Sequence, residues 1–350
     1  MPGPGATTPA AEVGPGAVEE VPVGHTVGID IGGTKIAAGV VGPGGEILGE
    51  TRRHTPATDP GAIADAVVDA IAELAAAHRI GPVGVAAAGF VDAARSTVVF
   101  APNLAWRDEP LAEHLRARLR ERSGGPLGDG TVVVENDANA AAWGEYRFGG
   151  GLDASGAGVD DLLMLTLGTG LGGGIVSGGR LQRGASGAAA EVGHARAVPD
   201  GLPCGCGNTG CWEQYVSGNS LVRRGKELLR SGSAAGAALL DSAGGDPEKV
   251  DGPTITRLAQ AGDAGCVELL ADLGRWLGEA CATFTAVLDP EVIVVGGGVC
   301  AAGDLLLEPA RERFAATLSG RTHRDAPPLR VAQRGGEAGM IGAADLARRA

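Results

Sequence analysis

The hydrophobic positions of this chain fall into two kinds of run: short continuous segments, and longer segments with helical spacing. Residues 25 to 53 contain three apolar segments divided by turns rich in Gly and Pro, a pattern that predicts three successive β-strands. Residues 61 to 79 carry apolar side chains such as Val67 and Ile71 at helical spacing, which predicts an amphipathic helix. We therefore expect the N-terminal part to mix strands and helices.

The remainder of the chain alternates between the same two kinds of segment. Strands are predicted at 83–89, 131–137 and 292–299, a strand pair at 162–179, and helices at 110–122, 138–147, 212–230, between 253 and 287, and at 336–350. The small and polar residues 231–252 predict a mobile connection. The strand, glycine turn and second strand at 27–41 recur at 162–177, so we expect two similar α/β halves with a cleft between them.

Length and charge restrict the class of protein. A chain of 350 residues with 44% hydrophobic content can bury a sizeable core and favours two domains. Its net charge of −13 does not favour nucleic acids or anionic membranes as partners. Residues 1–24 lack the features of a signal peptide, and their Pro, Gly and Glu content predicts a disordered tail. We expect a cytoplasmic protein with neither a nucleic-acid nor a membrane partner.

One short segment has the composition of a metal site. His194, Cys204, Cys206 and Cys211 supply the number and type of ligands that a tetrahedral zinc ion takes. Glycines between the cysteines permit the sharp turns that bring three sulfurs to one point, and in a reducing compartment clustered cysteines favour metal binding over disulfides. A cluster of buried thiols without a metal is the alternative. We predict a structural zinc ion.

Three glycine clusters predict phosphate or nucleotide contacts. Each by itself is also consistent with a turn that closes a buried strand, but two glycine–threonine hairpins facing each other could hold a polyphosphate from both sides. Asp30, at the end of the first strand, could hold a hydrated magnesium ion. The residues expected to contact the nucleotide are Gly32, Gly33, Thr34, Lys35, Gly168, Thr169, Gly170, Gly296, Gly297 and Gly298.

The candidate for catalysis is a carboxylate between a strand and a helix. Asp137 follows the strand that ends near Asn136, where it could orient and deprotonate an attacking hydroxyl in phosphoryl transfer. The alternative is that Asp137 only caps the helix, a position that Asp favours. Glu191 and Glu213 flank the metal segment; each could accept hydrogen bonds from sugar hydroxyls or be a solvated charge.

Five motifs in order, DIGGTK, PNLAW, ENDANAAAWGEY, LGTGLGGG and the cysteine segment, resemble the ROK family (repressor, open reading frame, kinase), and within it the bacterial glucokinases. The resemblance covers residues 25 to 350. It implies the actin-like α/β fold of sugar kinases, with two domains around a central cleft, and Asp137 as the base for the sugar 6-hydroxyl. The residues it assigns to the sugar are Gly89, Asn103, Asn136, Asp137, Glu191, His194 and Glu213. Ala190 stands where the family often has Gly.

The resemblance implies ATP-dependent phosphorylation of glucose by a homodimer or a dimer of dimers. An N-acetylhexosamine kinase and a kinase that uses polyphosphate are alternatives within this class. A sugar-responsive repressor is an alternative from another class, although residues 1–24 offer no recognition helix. We expect a small domain of residues 25–137 and 336–350 and a large domain of residues 138–335, which contains the zinc segment 194–211.

Overall fold

A computed structural model describes residues 25–123, 130–153 and 155–350 of the chain, and the tail predicted at 1–24 lies outside this part. The strands are β1 (His25–Ile31), β2 (Lys35–Val41), β3 (Ile47–His54), β4 (Ile80–Ala87), β5 (Phe90–Val91), β6 (Val98–Phe100), β7 (Arg107–Glu109), β8 (Val132–Asn136), β9 (Leu162–Leu167), β10 (Leu171–Ser177), β11 (Arg180–Leu181), β12 (Val292–Gly296) and β13 (Leu329–Val331). The α-helices are α1 (Pro60–Ala75), α2 (Leu111–Ser123), α3 (Asp137–Phe148), α4 (Gly218–Arg230), α5 (Ala237–Ser242), α6 (Gly252–Gln260), α7 (Ala264–Leu288), α8 (Asp304–Thr317) and α9 (Ala338–Arg348).

Two five-stranded sheets repeat one topology. The first has the order β3-β2-β1-β4-β8 and the second the order β11-β10-β9-β12-β13. In each sheet two antiparallel pairings are followed by two parallel ones, β1 with β4 and β4 with β8 in the first, β9 with β12 and β12 with β13 in the second. The predicted duplication of an α/β unit is therefore confirmed.

Each sheet packs its own helices over its own core. The apolar residues of β1, β2 and β4 are buried with those of α1 and α2, around fully buried side chains such as Ile29 and Ile71. The second core joins β9 and β12 to α4, α6, α7 and α8, with Leu273 and Phe314 among its buried members. Because the two clusters are separate, each half has its own apolar interior.

Helices α3 and α9 lie against each other between the two sheets. A Cβ atom at Gly342 would lie 1.8 Å from the carbonyl oxygen of Ala140, so only glycine allows this approach of the two helices. Helix α9 also packs on β1 and β4, while α3 also packs on β10 of the second sheet. The chain thus connects its two halves through a close helix pair, and Asp137 begins one of these helices.

The structure corrects several predicted elements. The helix predicted at 212–230 is divided: a 3-10 turn at Trp212–Gln214 is followed by α4, which begins after the cap at Ser217. Residues 231–252, predicted as a mobile connection, form short helices instead, because Leu239 and Val250 are buried in the second core. The small sheet β5-β6-β7, α8 and β13 were not predicted. No helix within the described ranges is long and apolar enough to span a bilayer.

Candidate active site

A cavity of about 470 Å³ lies between the two sheets and is lined from both. Its walls include every residue that the sequence assigned to the sugar. Those residues are Gly89, Asn103, Asn136, Asp137, Glu191, His194 and Glu213. The two glycine turns also reach it, through Gly32 and Gly33 on one side and Gly168, Thr169 and Gly170 on the other, together with Asp30 and Gly297. Tertiary folding therefore brings together groups from five separate motifs.

Asp137 is the first residue of α3, and its side chain is not the helix cap. Asn136 has that place: its Oδ1 accepts from the amide of Asn139 at 2.9 Å, and its Nδ2 donates to the carbonyl of Gly89 at 3.1 Å. The Asp137 carboxylate accepts from the Ala138 amide at 2.9 Å. The alternative in which Asp137 only caps the helix is therefore wrong, because the preceding residue already does so.

Two carboxylates of this cavity, those of Asp137 and Asp30, interact electrostatically. Burial raises the pKa of Asp137 above its ordinary value. Burial, and secondarily the charge of Asp137, raise the pKa of Asp30 to about 7, with Lys35 acting in the opposite direction. A base whose pKa is shifted toward neutral pH is better matched to proton abstraction. A cation bound near Asp30 would relieve the repulsion between the two acids.

The acids near the cysteine segment converge on the same space. Burial raises the pKa of Glu191, His194 lowers it, and Asp137 and Glu213 raise it further, so these four groups share one electrostatic environment. Glu213 also holds the second glycine turn, since its Oε2 accepts from the amide of Leu171 at 3.2 Å. The predicted convergence of acids on the cavity is thus present in the geometry.

Ala190, next to Glu191, has a left-handed backbone with φ of 67°. A β-carbon is disfavoured in this conformation, and glycine is not. This accounts for the glycine that the family often has at this position. The chain keeps the turn in spite of the alanine, with the amide of Val192 donating to the carbonyl of Ala190 at 2.7 Å.

The metal candidates lie together, and one of them, His194, also lines the cavity. One ligand atom each from His194, Cys204, Cys206 and Cys211 lies within 4.8 Å of all the others. The Sγ atoms of Cys206 and Cys211 are 3.7 Å apart, and Cys204 Sγ is 3.7 Å from His194 Nδ1. Tetrahedral zinc with bonds of 2.3 Å to sulfur separates two thiolates by about 3.8 Å. The donor set and these two separations therefore fit zinc.

A second cavity of about 470 Å³ continues from the first on the side of Gly168 and Thr169. Helix α4 begins here, with the amide of Gly218 donating to the carbonyl of Gly168 at 2.8 Å. Of the residues predicted to contact the nucleotide, Gly168, Thr169 and Gly298 line this cavity, and the rest of its lining was not predicted. The additional residues include Asn219, Val222, Pro253, Thr256, Arg257 and Gln260. No sequence motif marks them, because they come from separate helices.

Three predicted nucleotide contacts lie outside the walls of both cavities. Thr34 and Lys35 are exposed at the start of β2, although Lys35 lowers the pKa of Asp30 and so lies near the cavity. Gly296 is buried at the end of β12, where a Cβ would meet Met164 and Ala332. Its neighbours Gly297 and Gly298 provide the open surface of this glycine cluster.

A sequence model of the ROK family matches residues 26–350. The chain belongs to the ROK family. This ROK protein is 48% identical over 326 residues to a glucokinase of Streptomyces coelicolor, across 93% of the present chain and 98% of that relative. The predicted membership and the actin-like sugar-kinase fold are confirmed.

Two further relatives bear on the function of this ROK protein. A ROK family glucokinase of Streptomyces griseus, solved in complex with glucose and AMPPNP, superposes with a TM-score of 0.81 at 48% identity, covering 93% of this chain and 100% of that one. An N-acetylmannosamine kinase of Escherichia coli O157:H7 is 35% identical over 92% of this chain and 98% of its own length.

Proposed function

We propose that this protein transfers the γ-phosphoryl group of ATP to the 6-hydroxyl of glucose. The observation that carries the proposal is that Asp137, Glu191, His194 and Glu213 line one cavity together with both glycine turns. A phosphoryl-transfer site needs a base, a place for the acceptor and a place for the phosphates at one point. The glucokinases of two Streptomyces species, each 48% identical, support glucose and ATP as the substrates.

Asp137 acts as the general base. Its carboxylate takes the proton of the 6-hydroxyl while the oxygen attacks the γ-phosphorus and the bond to the β-phosphate oxygen breaks. The raised pKa of Asp137 increases its proton affinity, and the hydrogen bond from the Ala138 amide keeps the carboxylate in place. Asn136, bound to the Gly89 carbonyl, orients the start of the helix that carries the base.

The remaining polar residues of the cavity bind and orient the sugar. The carboxylates of Glu191 and Glu213 accept hydrogen bonds from sugar hydroxyls, and Asn103, Asn136 and His194 add further contacts. Gly89 leaves no space for a side chain, because a Cβ there would lie 2.5 Å from the carbonyl oxygen of Phe100. Holding several hydroxyls at once places the 6-hydroxyl against Asp137 and lowers the entropy cost of reaction.

ATP lies across the two cavities. The turns at residues 32–33 and 168–170 hold the phosphates, and Asp30 would hold the hydrated magnesium ion. The base and ribose occupy the second cavity, beside Gly298 and the helical residues around Thr256. Closure of the two halves over both substrates would exclude water, which competes with the sugar for the phosphoryl group.

His194, Cys204, Cys206 and Cys211 would hold a zinc ion in a structural role. With all four ligand positions filled by protein groups, the ion would supply a cross-link and bind no substrate. Glu213 follows Cys211 by two residues, and His194 is both a ligand and a wall of the cavity. The zinc segment therefore holds sugar-facing residues at fixed places.

Three further features remain predictions. We propose domains of residues 25–137 with 336–350 and of residues 138–335; the separate cores and the packing of α9 on the first sheet support this division. A homodimer or a dimer of dimers stays a prediction. A cytoplasmic location, without nucleic-acid or membrane partners, also stays a prediction from charge and composition.

The experiment is a matrix of initial rates for glucose, mannose, N-acetylglucosamine and N-acetylmannosamine, each with ATP and with polyphosphate. We expect glucose with ATP to give the highest kcat/KM. The second candidate is an N-acetylmannosamine kinase, which the 35% identical Escherichia coli relative supports. A higher kcat/KM for N-acetylmannosamine than for glucose would replace the first function with the second. If no combination yielded a sugar phosphate, both candidate functions would be wrong.

A further inference from the structure

The proposed base, Asp137, has a second buried carboxylate close to it in the chain. Glu135 is 1% exposed and lies in β8, two residues before Asp137. Its Oε1 accepts from the amide of Asn136 at 3.1 Å and from Nδ2 of Asn139 at 3.3 Å. Glu135 is therefore attached to the residue that caps α3 and to the first turn of that helix.

The other oxygen of this carboxylate faces an arginine from the opposite half of the molecule. Arg183 follows β11 of the second sheet, and its Nε lies 2.8 Å from Glu135 Oε2. The two Nη atoms donate to main-chain carbonyls of the first half, to Ala93 and Asp92, each at 2.9 Å. One guanidinium thus joins the second sheet to the strand that leads to the base.

Arg183 also anchors the segment that leads to the sugar-facing acid. Its carbonyl accepts from the amide of Ala189 at 3.1 Å, which closes the loop 184–189 just before Glu191. Gly187 of this loop packs on the first half, since a Cβ there would lie 2.2 Å from the carbonyl oxygen of Val91. The ion pair between Glu135 and Arg183 therefore connects the start of α3 to the segment that precedes Glu191.

A third charged group, Arg95, lies at the same carboxylate, and burying these charges costs free energy. Nε of Arg95 lies 3.3 Å from the same Oε2 atom, and Arg95 has a left-handed backbone with φ of 59°. Two guanidinium groups thus share one buried carboxylate, and burial lowers the pKa of Arg95. Buried ion pairs contribute little net stability relative to apolar packing. Stability alone does not account for this cluster, whereas placement of the neighbouring residues does.

We propose that Glu135 and Arg183 are positioning residues for phosphoryl transfer. Their ion pair holds the start of α3, which carries Asp137, at a set distance from the loop that carries Glu191. The inference rests on the proposed function, because Asp137 and Glu191 have to meet the same sugar. Displacement of either residue by about 1 Å is enough to lower the rate of transfer roughly 100-fold.

The test uses Glu135→Gln, Arg183→Met, the double variant and the milder Arg183→Lys. Gln keeps the volume and the oxygen that accepts from Asn136, and removes the charge. We expect kcat with glucose to fall roughly 10- to 100-fold in each Gln or Met single variant, with the KM for ATP within about twofold of wild type. The double variant should lose no more than the worse single variant, because the pair acts as a unit.

The matched control is Asp345→Asn. Asp345 is also 1% exposed and paired with arginines, with Arg349 Nε at 2.7 Å and Arg348 Nη1 at 3.2 Å, but it lines neither cavity. This control should lower the melting temperature and leave the kcat of the folded protein unchanged. If the effect were a general loss of stability, the Glu135 and Arg183 variants and Asp345→Asn would change in the same way. A positioning role predicts a lower kcat only in the Glu135 and Arg183 variants.

Two results would overturn the inference. One is a kcat within about twofold of wild type in folded Glu135→Gln or Arg183→Met. The other is a double variant whose loss equals the product of the single losses. If neither variant folds, Arg183→Lys decides, because one ammonium group cannot keep the ion pair with Glu135 together with both carbonyl contacts to Ala93 and Asp92 that join the halves; a kcat within about twofold of wild type there also overturns the inference. Failure of the proposed function is a separate result, since wild type would then phosphorylate no sugar.

Discussion

The two glycine turns occupy corresponding places in two sheets of the same topology, but their surroundings differ. The first turn, between β1 and β2, follows Asp30, whose pKa burial and Asp137 raise to about 7. The second turn, between β9 and β10, has no acid in it and is held by the start of α4 and by Glu213. A duplicated backbone therefore has a buried acid beside the turn of the first half and the proposed nucleotide surface beside the turn of the second.

The difference arises from what each half inserts between corresponding elements. Helices α1 and α2 of the first half correspond in order to α7 and α8 of the second, and α3 corresponds to α9. The first half inserts the small sheet β5-β6-β7, which brings Asn103 to the cavity. The second half inserts the cysteine segment and α4 to α6 between β11 and α7. The insertions thus add Asn103 and the cysteine segment to a shared framework that already carries Asp30 and Asp137.

The largest effect is expected at the end of β8, where the first half carries the proposed base and the corresponding end of β13 carries none. Asp137→Asn should lower kcat by about 1000-fold, because a general base contributes 10²- to 10⁴-fold. Glucose binding should largely survive, since the amide keeps the shape of the carboxylate. Initial rates and calorimetric titration with glucose measure the two properties. Turnover near the wild-type rate would remove Asp137 from the role of base.

The same variant has a consequence for stability that depends on pH. Burial raises the pKa of Asp137 in the folded state, so above its ordinary value of 3.8 the native protein retains this proton more strongly than the unfolded chain. The free energy of unfolding from this group therefore falls as pH rises through the raised pKa. Asp137→Asn should melt above wild type at pH 8, and this gain should shrink toward pH 4.

The second effect tests the insertion that carries the cysteines. Cys206→Ser removes one of the four proposed zinc ligands, and we expect loss of zinc, a lower melting temperature and a KM for glucose raised roughly 10- to 100-fold. Cys300→Ser is the control and should keep its zinc, because Cys300 lies outside the cluster. Metal analysis and glucose kinetics check this. Equal glucose affinity with and without zinc would show that the metal does not support the sugar cavity.

The third effect tests the nucleotide surface of the second half alone. Thr256 is half-buried in α6 on the wall of the second cavity, and Thr256→Trp would fill part of that space. We expect the KM for ATP to rise about 10-fold, a change of 1.4 kcal/mol, while the KM for glucose stays the same. Steady-state kinetics with each substrate varied in turn distinguish the two. A rise in the KM for glucose alone would place the sugar, not the nucleotide, in that cavity.

The smallest effect concerns the turn before Glu191. Ala190→Gly removes a β-carbon from a backbone with φ of 67°, and the left-handed conformation costs a non-glycine residue about 1 kcal/mol. We expect a slightly higher melting temperature and unchanged kinetics with glucose. Thermal unfolding measures this. A lower melting temperature would mean that the greater freedom of glycine in the unfolded chain outweighs the relief of strain.

The accuracy of prediction depended on how local the signal was. The strand pairs and α3 follow from apolar runs and from glycine turns that lie within a few residues of each other, and they were predicted correctly. The division at Ser217 was missed because it depends on a contact between Gly218 and the distant Gly168. The short helices within residues 231–252 were missed for the same reason, since Leu239 is buried by helices elsewhere in the chain.

The sequence by itself determined which groups are available: the ligand set of the cysteine segment, two glycine turns and an Asn–Asp pair at a strand end. These depend on residue type and short spacing, which the chain carries locally. Only the tertiary structure decided that Asn136 and not Asp137 caps α3, that helices α4 and α6 complete a second cavity, and that Glu135 meets Arg183 from the opposite half. Such contacts join residues far apart in the chain, and their geometry exists only once both sheets have packed.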